Sequence, residues 1–290
     1  MTGNEYIKVP SVARSGVKIP VGVTVPGLKE GEKCPVVIMT HGYLGNRDEW
    51  GLYYGAQEAE YGFTSLAERL LEFGIGSIRM DFSGTGESEE SFEAYTPDNC
   101  VADVRDAVDY CLANYPFDQT KVGLVGLSMG AKIGFRFIRD REDIPVTVLL
   151  NPAGGNGSTS LKGGETPALD YDNLEAVAMK EGKALDKAAS ELYEKEMWLS
   201  KDFFTQMDET MTADEIKAYT ESGKRALMVF GGADTVINQD TYELLAKEAG
   251  VQIAMIPHMN HDVGLEEERF DYTKNAVDLI AAYLNTYLKL

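Results

Sequence analysis

The sequence predicts an α/β fold: a mostly parallel central sheet with helices on both faces. Three observations lead there. Strand-like and helix-like segments alternate along most of the 290 residues. Runs such as "CPVVIMTHG" and "KVGLVGLS" are apolar at consecutive positions, as expected of strands buried on both sides. No internal repeat is visible, which argues against a solenoid.

The elements follow in order. "YIKVPS" and "VKIPVGVTVP" open the chain as strands, with Gly and Pro at their ends. After "CPVVIMTHG" the period changes. In "GFTSLAERLLEFG" the residues Phe63, Leu66, Ala67, Leu70 and Leu71 fall on one helical face, and Gly74 is placed to end it. "GIGSIRMDF" reads as a strand. "TPDNCVADVRDAVDYCLANY" reads as a helix, with Thr96 as cap, Pro97 at the first position and Val101, Val104, Val108 and Leu112 facing inward. Strand "KVGLVGLS", helix "MGAKIGFRFIRD" and strand "VTVLLNPA" continue the alternation. Strand "RALMVFGGAD", helix "TYELLAKEAG", strand "VQIAMIP" and helix "FDYTKNAVDLIAAYLNTYL" complete it. Such an order implies right-handed crossovers.

Residues 154–223 break the pattern. They begin with the Gly-rich "GGNGSTSLKGGETP" and continue as amphipathic helical sequence through "LEAVAMKEGKALDKAASELYEKEMWL", "KDFFTQMDE" and "TADEIKAYTESG". Nothing strand-like is visible in them. A stretch this long inside one domain generally carries its own structure, often over a site. The expected organisation is a core of residues 1–153 and 224–290 with a helical cap, or lid, at 154–223. A decorative helical insertion is the alternative.

Composition narrows the function. A formal net charge of -20 argues against nucleic acid, whose phosphates need clustered Lys and Arg, and against anionic membrane surfaces. "MTGNEYIKVPSV" lacks the basic and apolar regions of a secretory signal, and no apolar run approaches the roughly 20 residues of a membrane span. The three cysteines form no CxxC pair; Cys100 and Cys111 share one helix face and are expected in its core. This is the pattern of a reduced, cytoplasmic protein. Three histidines without ligand spacing suggest no metal. A homodimer is compatible with the sequence, and nothing in it requires one.

The chemistry gathers at "GLSMG", residues 126–130, a G-x-S-x-G directly after an apolar strand and opening a helix. That is the strand–turn–helix setting of a nucleophile elbow, in which a tight turn lifts a serine hydroxyl above the sheet. Side chains at Gly126 or Gly130 would collide with the facing strand or helix. Ser128 is therefore the candidate nucleophile. It needs a base, and the base needs an orienting acid. The strand "RALMVFGGAD" ends in Asp234, the candidate acid, whose alternative role is a helix N-cap. "VTVLL" ends in Asn151, which cannot carry the charge, and Asp81 precedes the nucleophile. An oxyanion needs preorganised donors, expected from the backbone N–H groups of Met129, at the helix start, and Tyr43, in the loop "HGYLGN". His41 is expected to brace that loop and not to catalyse. "DFSGTGES" lacks the lysine and third glycine of a phosphate loop and reads as a structural turn.

The motifs "HGYLGNRDEW", "RMDFSGTGESE", "GLSMGA", "GGADTVI" and the loop "HMNH" together resemble the α/β-hydrolase superfamily. More narrowly, they resemble the bacterial cinnamoyl/feruloyl-type esterases. They span residues 36–265. The resemblance implies an α/β-hydrolase fold, a small cap after "LLNPAGG", and ester hydrolysis through an acyl-enzyme without a cofactor. It also singles out the base. His258 directly follows Pro257, where the chain is still leaving the sheet, whereas His261 stands where related hydrolases carry the histidine of an "IP-x-x-x-H" pattern. His261 is thus the expected base and His258 a loop residue near the substrate.

The implied substrate is a small-molecule ester, with hydroxycinnamates ahead of short-chain acyl esters, monoacylglycerols and small peptides or amides. Trp198, Phe203 and Phe204 are candidates to line an aromatic acyl pocket, or equally to form the insertion's own core. Two departures stand out. Tyr43 occupies a position where the subgroup often has Phe, and the insertion is longer and richer in Lys, Glu and Ala. A serine peptidase or acylglycerol hydrolase of the same fold, and a non-catalytic binding protein on this scaffold, are the competing readings.

Overall fold

Side chains of the central strands alternate between two apolar layers, and this alternation fixes which helices lie on which face. The computed structural model describes residues 3–49, 62–153, 171–207, 211–237, 239–264 and 270–289. In chain order the first strands are β1 (Gly3–Pro10), β2 (Lys18–Val25), β3 (Cys34–Thr40), β4 (Gly76–Met80), β5 (Phe117–Leu127) and β6 (Val146–Leu150). After β7 (Lys183–Leu185) and β8 (Trp198–Ser200) come β9 (Arg225–Gly231) and β10 (Gln252–Ile256). The described helices are α1 (Phe63–Glu72), α2 (Pro97–Asn114), α3 (Met129–Ile138), α4 (Tyr171–Glu181), α5 (Lys187–Leu192), α6 (Lys201–Met207), α7 (Ala213–Glu221), α8 (Gln239–Ala249) and α9 (Phe270–Leu288).

The main sheet runs β1-β2-β4-β3-β5-β6-β9-β10. β1 and β2 pair antiparallel, β2 meets β4 antiparallel, and from β4 onward every pairing is parallel. Val37, Met39, Val125, Leu127, Val148 and Val229 face one layer, closed by α1 and α9. Val36, Ile38, Leu124, Leu149, Met228 and Phe230 face the other, closed by α2, α3, α7 and α8. This is the mostly parallel sheet with helices on both faces expected from the alternation.

Local signals operate as read. The Thr96 hydroxyl accepts the N–H of Asn99, and Pro97 opens α2. Gly74, with φ 69°, follows α1 where a left-handed residue is needed. Cys100 and Cys111 are both buried on the inner side of α2.

The stretch 154–223 differs from its expectation in two ways. It is not all helix: Lys183–Leu185 and Trp198–Ser200 pair antiparallel as a short ribbon, with Ala184 opposite Leu199. β-Strand pairing is a long-range contact, and the amphipathic helical pattern around these residues hides it. The second difference lies at the end of the stretch, where α7 packs on α8 and β9 and the Tyr219 hydroxyl donates to the carbonyl of Ile144. α7 is thus a layer of the body, and the cap-like part is α4 to α6 with the ribbon. The Gly-rich segment at its start lies outside the described residues.

Phe203 and Phe204 anchor this unit. They meet edge to face at 5.0 Å, Phe204 packs on Tyr171, and Phe203 lies beside Tyr43 and Tyr95. A buried Lys132 of α3 donates its ammonium to the carbonyl of Met207 at the end of α6, and Lys183 pairs with Glu93 at 2.7 Å. Among the described residues no helix is long and apolar enough to cross a membrane.

Candidate active site

β5 ends in a tight turn completed by Ser128 in a strained backbone conformation. Ser128 has φ 52° and ψ -121°, a backbone region that L-residues rarely occupy, and its own N–H and C=O bind Leu150 O and Ala153 N at 2.9 and 3.1 Å. The flanking glycines make room for it. A Cβ at Gly126 would stand 2.4 Å from Ala131 Cα, and one at Gly130 would stand 2.1 Å from Thr40 O. The start of α3 is therefore pressed against the end of β3.

Three strand ends converge on the Ser128 hydroxyl. His261 Nε2 lies 2.9 Å from Ser128 Oγ, and His261 Nδ1 lies 2.7 Å from Asp234 Oδ2. A carboxylate only accepts, so Nδ1 carries the proton and Nε2 is left to accept from the serine. The row can pass a proton from Ser128 to His261 while Asp234 balances the charge. Burial opposes ionisation of Asp234, yet the charge and hydrogen bond of His261, with donors from Tyr242 and Ile237, hold it below the usual carboxylate range. Burial also works against protonated His261, and Asp234 outweighs it, so the imidazole sits above its ordinary value.

Asp234 does not cap α8 in the manner considered above. Its Oδ1 accepts the N–H groups of Val236 and Ile237 at 2.9 and 3.0 Å within its own turn. Its Oδ2 accepts Tyr242 Oη at 2.7 Å in addition to His261. Tyr242 is fully buried on α8 and was not singled out in the sequence. Nor was Asn151 as a brace. Its amide donates to the carbonyl of His261 at 2.8 Å and its Oδ1 accepts Gly231 N–H at 2.9 Å, tying the histidine loop to β9. A Tyr eight residues after an aspartate, or an Asn at a strand end, gives no sequence signal of such roles.

The loop after β3 is built around a carbonyl. Gly42 O accepts the Gly45 N–H at 3.2 Å and lies 2.8 Å from His41 Nδ1, which must therefore be protonated. His41 Nε2 in turn faces the Phe82 N–H at 3.3 Å and Thr85 Oγ1 at 3.2 Å. Full burial pushes the His41 imidazole down to about 4, so it stays neutral and fixes the plane of the peptide joining Gly42 to Tyr43. In a trans peptide the Tyr43 N–H points opposite to that carbonyl. Met129 supplies the first N–H of α3, one of the four that a helix leaves without an internal acceptor.

The remaining sequence candidates separate from the Ser128 row. His258 is exposed, with φ 62°, on the turn before His261. Phe203 and Phe204 are 1% and 0% exposed, so they form the interior of the cap-like unit and present no surface to a ligand. Trp198 is half-buried, with its indole N–H on Glu196 and the Lys183 ammonium over its ring. Asp81 pairs with Arg47 and accepts the N–H of Glu87, closing the "DFSGTGES" turn. A cavity of about 400 Å³ lies beyond the Gly42–Gly45 turn, lined by Leu44, Arg47, Glu87, Tyr193 and Met197 among others; Ser128 and His261 do not line it. Among the described residues no cluster of three or more His, Cys, Asp or Glu is placed to hold a metal ion.

Sheet order, elbow and strand-end residues define a hydrolase of the α/β class. A family model described as "Alpha/beta hydrolase family" matches residues 37–272, and the chain belongs to that family. No curated protein sequence matches this chain significantly. Among solved structures it is similar to Est1E from Butyrivibrio proteoclasticus with ferulic acid bound. The TM-score is 0.71 at 21% identity, over 96% of this chain and 98% of that one. It is also similar to the α/β hydrolase GrgF from Penicillium sp. sh18, with TM-score 0.69 and 12% identity over 99% and 100%. The esterase domain of a Rhodothermus marinus protein gives TM-score 0.68 and 13% identity over 99% and 100%. At these identities the likeness is one of fold.

Proposed function

We propose that this protein is a serine carboxylic-ester hydrolase. The observation that carries the reading is the hydrogen-bonded row Ser128–His261–Asp234, with separations of 2.9 and 2.7 Å. Ser128 Oγ attacks the ester carbonyl as its proton passes to His261 Nε2. The N–H groups of Met129 and Tyr43 hold the oxyanion of the tetrahedral intermediate. His261 then gives its proton to the departing alkoxide, leaving an acyl-serine and a free alcohol. Water repeats the sequence in the deacylation half, with Asp234 opposing the imidazolium charge in both.

Small aromatic esters of the hydroxycinnamoyl type are the proposed substrates, supported by the likeness to a ferulate-bound esterase and by the motifs quoted above. The cap-like unit within 154–223 is the proposed roof of the acyl pocket. Burial of Phe203 and Phe204 favours a second reading, a short-chain acyl esterase, because it withdraws the aromatic side chains proposed to grip the ring. Two measurements test this. A fluorophosphonate probe should label Ser128, and folded protein that stays unlabelled sinks the hydrolase reading. Turnover of methyl ferulate above p-nitrophenyl butyrate supports the aromatic substrate class, and the reverse order selects the short-chain reading.

A further inference from the structure

The two ends of α5 grip successive residues of the turn that carries the proposed oxyanion donor. Asp186, the N-cap of α5, accepts the Tyr43 hydroxyl at Oδ2, 2.7 Å away, and the Ala189 N–H at Oδ1, 3.0 Å away. Tyr193, the C-cap of the same helix, donates its hydroxyl to the carbonyl of Leu44. We infer that Tyr43 and Tyr193 are positioning residues through which the cap-like unit holds the oxyanion turn in its working geometry. The inference rests on the esterase reading.

The contacts are built to hold. Asp186 is 2% exposed, and a buried carboxylate that lost the Tyr43 donor would be left under-satisfied. Burial and the Asp186 charge push the Tyr43 phenol well above its ordinary value, so it remains a donor at any working pH. Its ring is enclosed by Phe92, Tyr95 and Phe203 at centroid distances of 5.8, 5.8 and 6.0 Å. Leu44 has φ 60°, a left-handed conformation that costs a non-glycine residue roughly 1 kcal/mol or more. That conformation at the third position of the Gly42–Gly45 turn is the pattern that otherwise calls for glycine. The Tyr193 bond holds the carbonyl of this same residue.

The consequence is specific. An oxyanion donor works by being in place before charge develops, and a shift of about an ångström is costly. The phenol that distinguishes Tyr43 from Phe therefore acts on the rate of the chemical step and not on affinity. It also makes the cap-like unit a fixed brace, because lifting it away breaks both phenol bonds.

The test compares wild type with Tyr43→Phe, Tyr193→Phe and Asp186→Asn on p-nitrophenyl acetate, p-nitrophenyl butyrate and methyl ferulate. Rates are expressed per site titrated with a fluorophosphonate, and melting temperature is followed in parallel. Each phenol deletion should lower kcat roughly tenfold, a fraction of the loss on removing a donor outright. KM should stay within about twofold, as for a group that acts in the transition state only. The loss should be equal for all three esters, since they share the oxyanion. The acid limb of the pH profile should not move. Asp186→Asn keeps a carbonyl acceptor and should retain most of kcat. Unchanged kcat, or a change confined to KM or to ferulate, overturns the inference. If Tyr43→Phe does not fold, Tyr193→Phe, which alters a half-buried ring, decides the matter alone. An active wild type with unaltered phenol variants overturns this inference only. A wild type that neither takes the probe nor turns over an ester overturns the esterase reading and this inference with it.

Discussion

The body and the cap-like unit fix their side chains by different means. In the body, Ser128 and Asp234 follow strand ends and are held by backbone, Ser128 by Leu150 and Ala153 and Asp234 by two N–H groups of its own turn, while the Asn151 amide holds the carbonyl of His261. In the cap-like unit, Phe203 and Phe204 are held by each other, by Tyr171 and by aromatic rings of the body. Backbone anchors leave side chains free to do chemistry. Packing anchors consume them. The cap-like unit meets the turn after β3 through two phenol hydrogen bonds, Tyr43 to Asp186 and Tyr193 to the carbonyl of Leu44.

Removing a body side chain should have the largest effect. His261→Ala should lower kcat by roughly 10⁴-fold or more, on the scale known for members of serine triads. His258→Ala, three residues away and exposed, should leave kcat/KM unchanged. A large loss at His258 with activity kept at His261 overturns the assignment of the base.

In the cap-like unit the corresponding deletion should act on stability. Phe204→Ala should cost about 3–5 kcal/mol in denaturant unfolding, the range for emptying a packed aromatic site. A cost below about 1 kcal/mol, far from that range, means the interior is not packed as described.

His41 links the two modes, since it is a fully buried body residue whose work is to orient backbone. Its folded value of about 4 lies below the ordinary 6.5. Unfolded chains therefore take up a proton that the native state refuses, and the stability present above about pH 6.5 is lost as pH falls toward 4, by about 3 kcal/mol. His41→Gln, which cannot titrate, should show a flatter profile across that window. Equal slopes in the two proteins would mean that His41 is not the titrating group.

The smallest effect concerns Tyr242. In the proposed mechanism His261 must be neutral to accept the serine proton, so kcat/KM should fall as pH drops through its raised value. Tyr242→Phe removes one donor from Asp234 and leaves more negative charge facing the imidazolium. The acid limb should move to higher pH by several tenths of a unit, with kcat at its plateau reduced no more than a few-fold, as for one neutral hydrogen bond. A limb that moves to lower pH contradicts this account of Asp234.

Much of this was legible in the sequence, for local reasons. Consecutive apolar residues mark strands buried on both faces, and the change of period at Phe63 marks a helix. Thr96-Pro97 marks a helix start by satisfying an orphan N–H and tolerating a missing one. Gly126 and Gly130 announce a turn without room for Cβ, and the structure gives both distances at which a Cβ would clash. Ser128 and Asp234 stand out because each follows a strand in a sheet of inferable order, whereas the choice of His261 over His258 comes from the resemblance to related hydrolases. By contrast, the β7–β8 ribbon was hidden because its pairing joins residues that are remote in sequence within a helical pattern. The body allegiance of α7 was hidden for the same reason: an amphipathic stripe says that a helix is covered, not by what.

Period, side-chain size and charge are local properties, so the layers, the elbow and the place of Asp234 at a strand end could be read from the chain alone. The folded molecule alone reveals that Tyr242 and Asn151 support the Asp234–His261 pair, that Phe203 and Phe204 turn inward, and that both ends of α5 seize the turn at Tyr43. Those are contacts between side chains from separate elements, and their distances follow from packing, which no local pattern records.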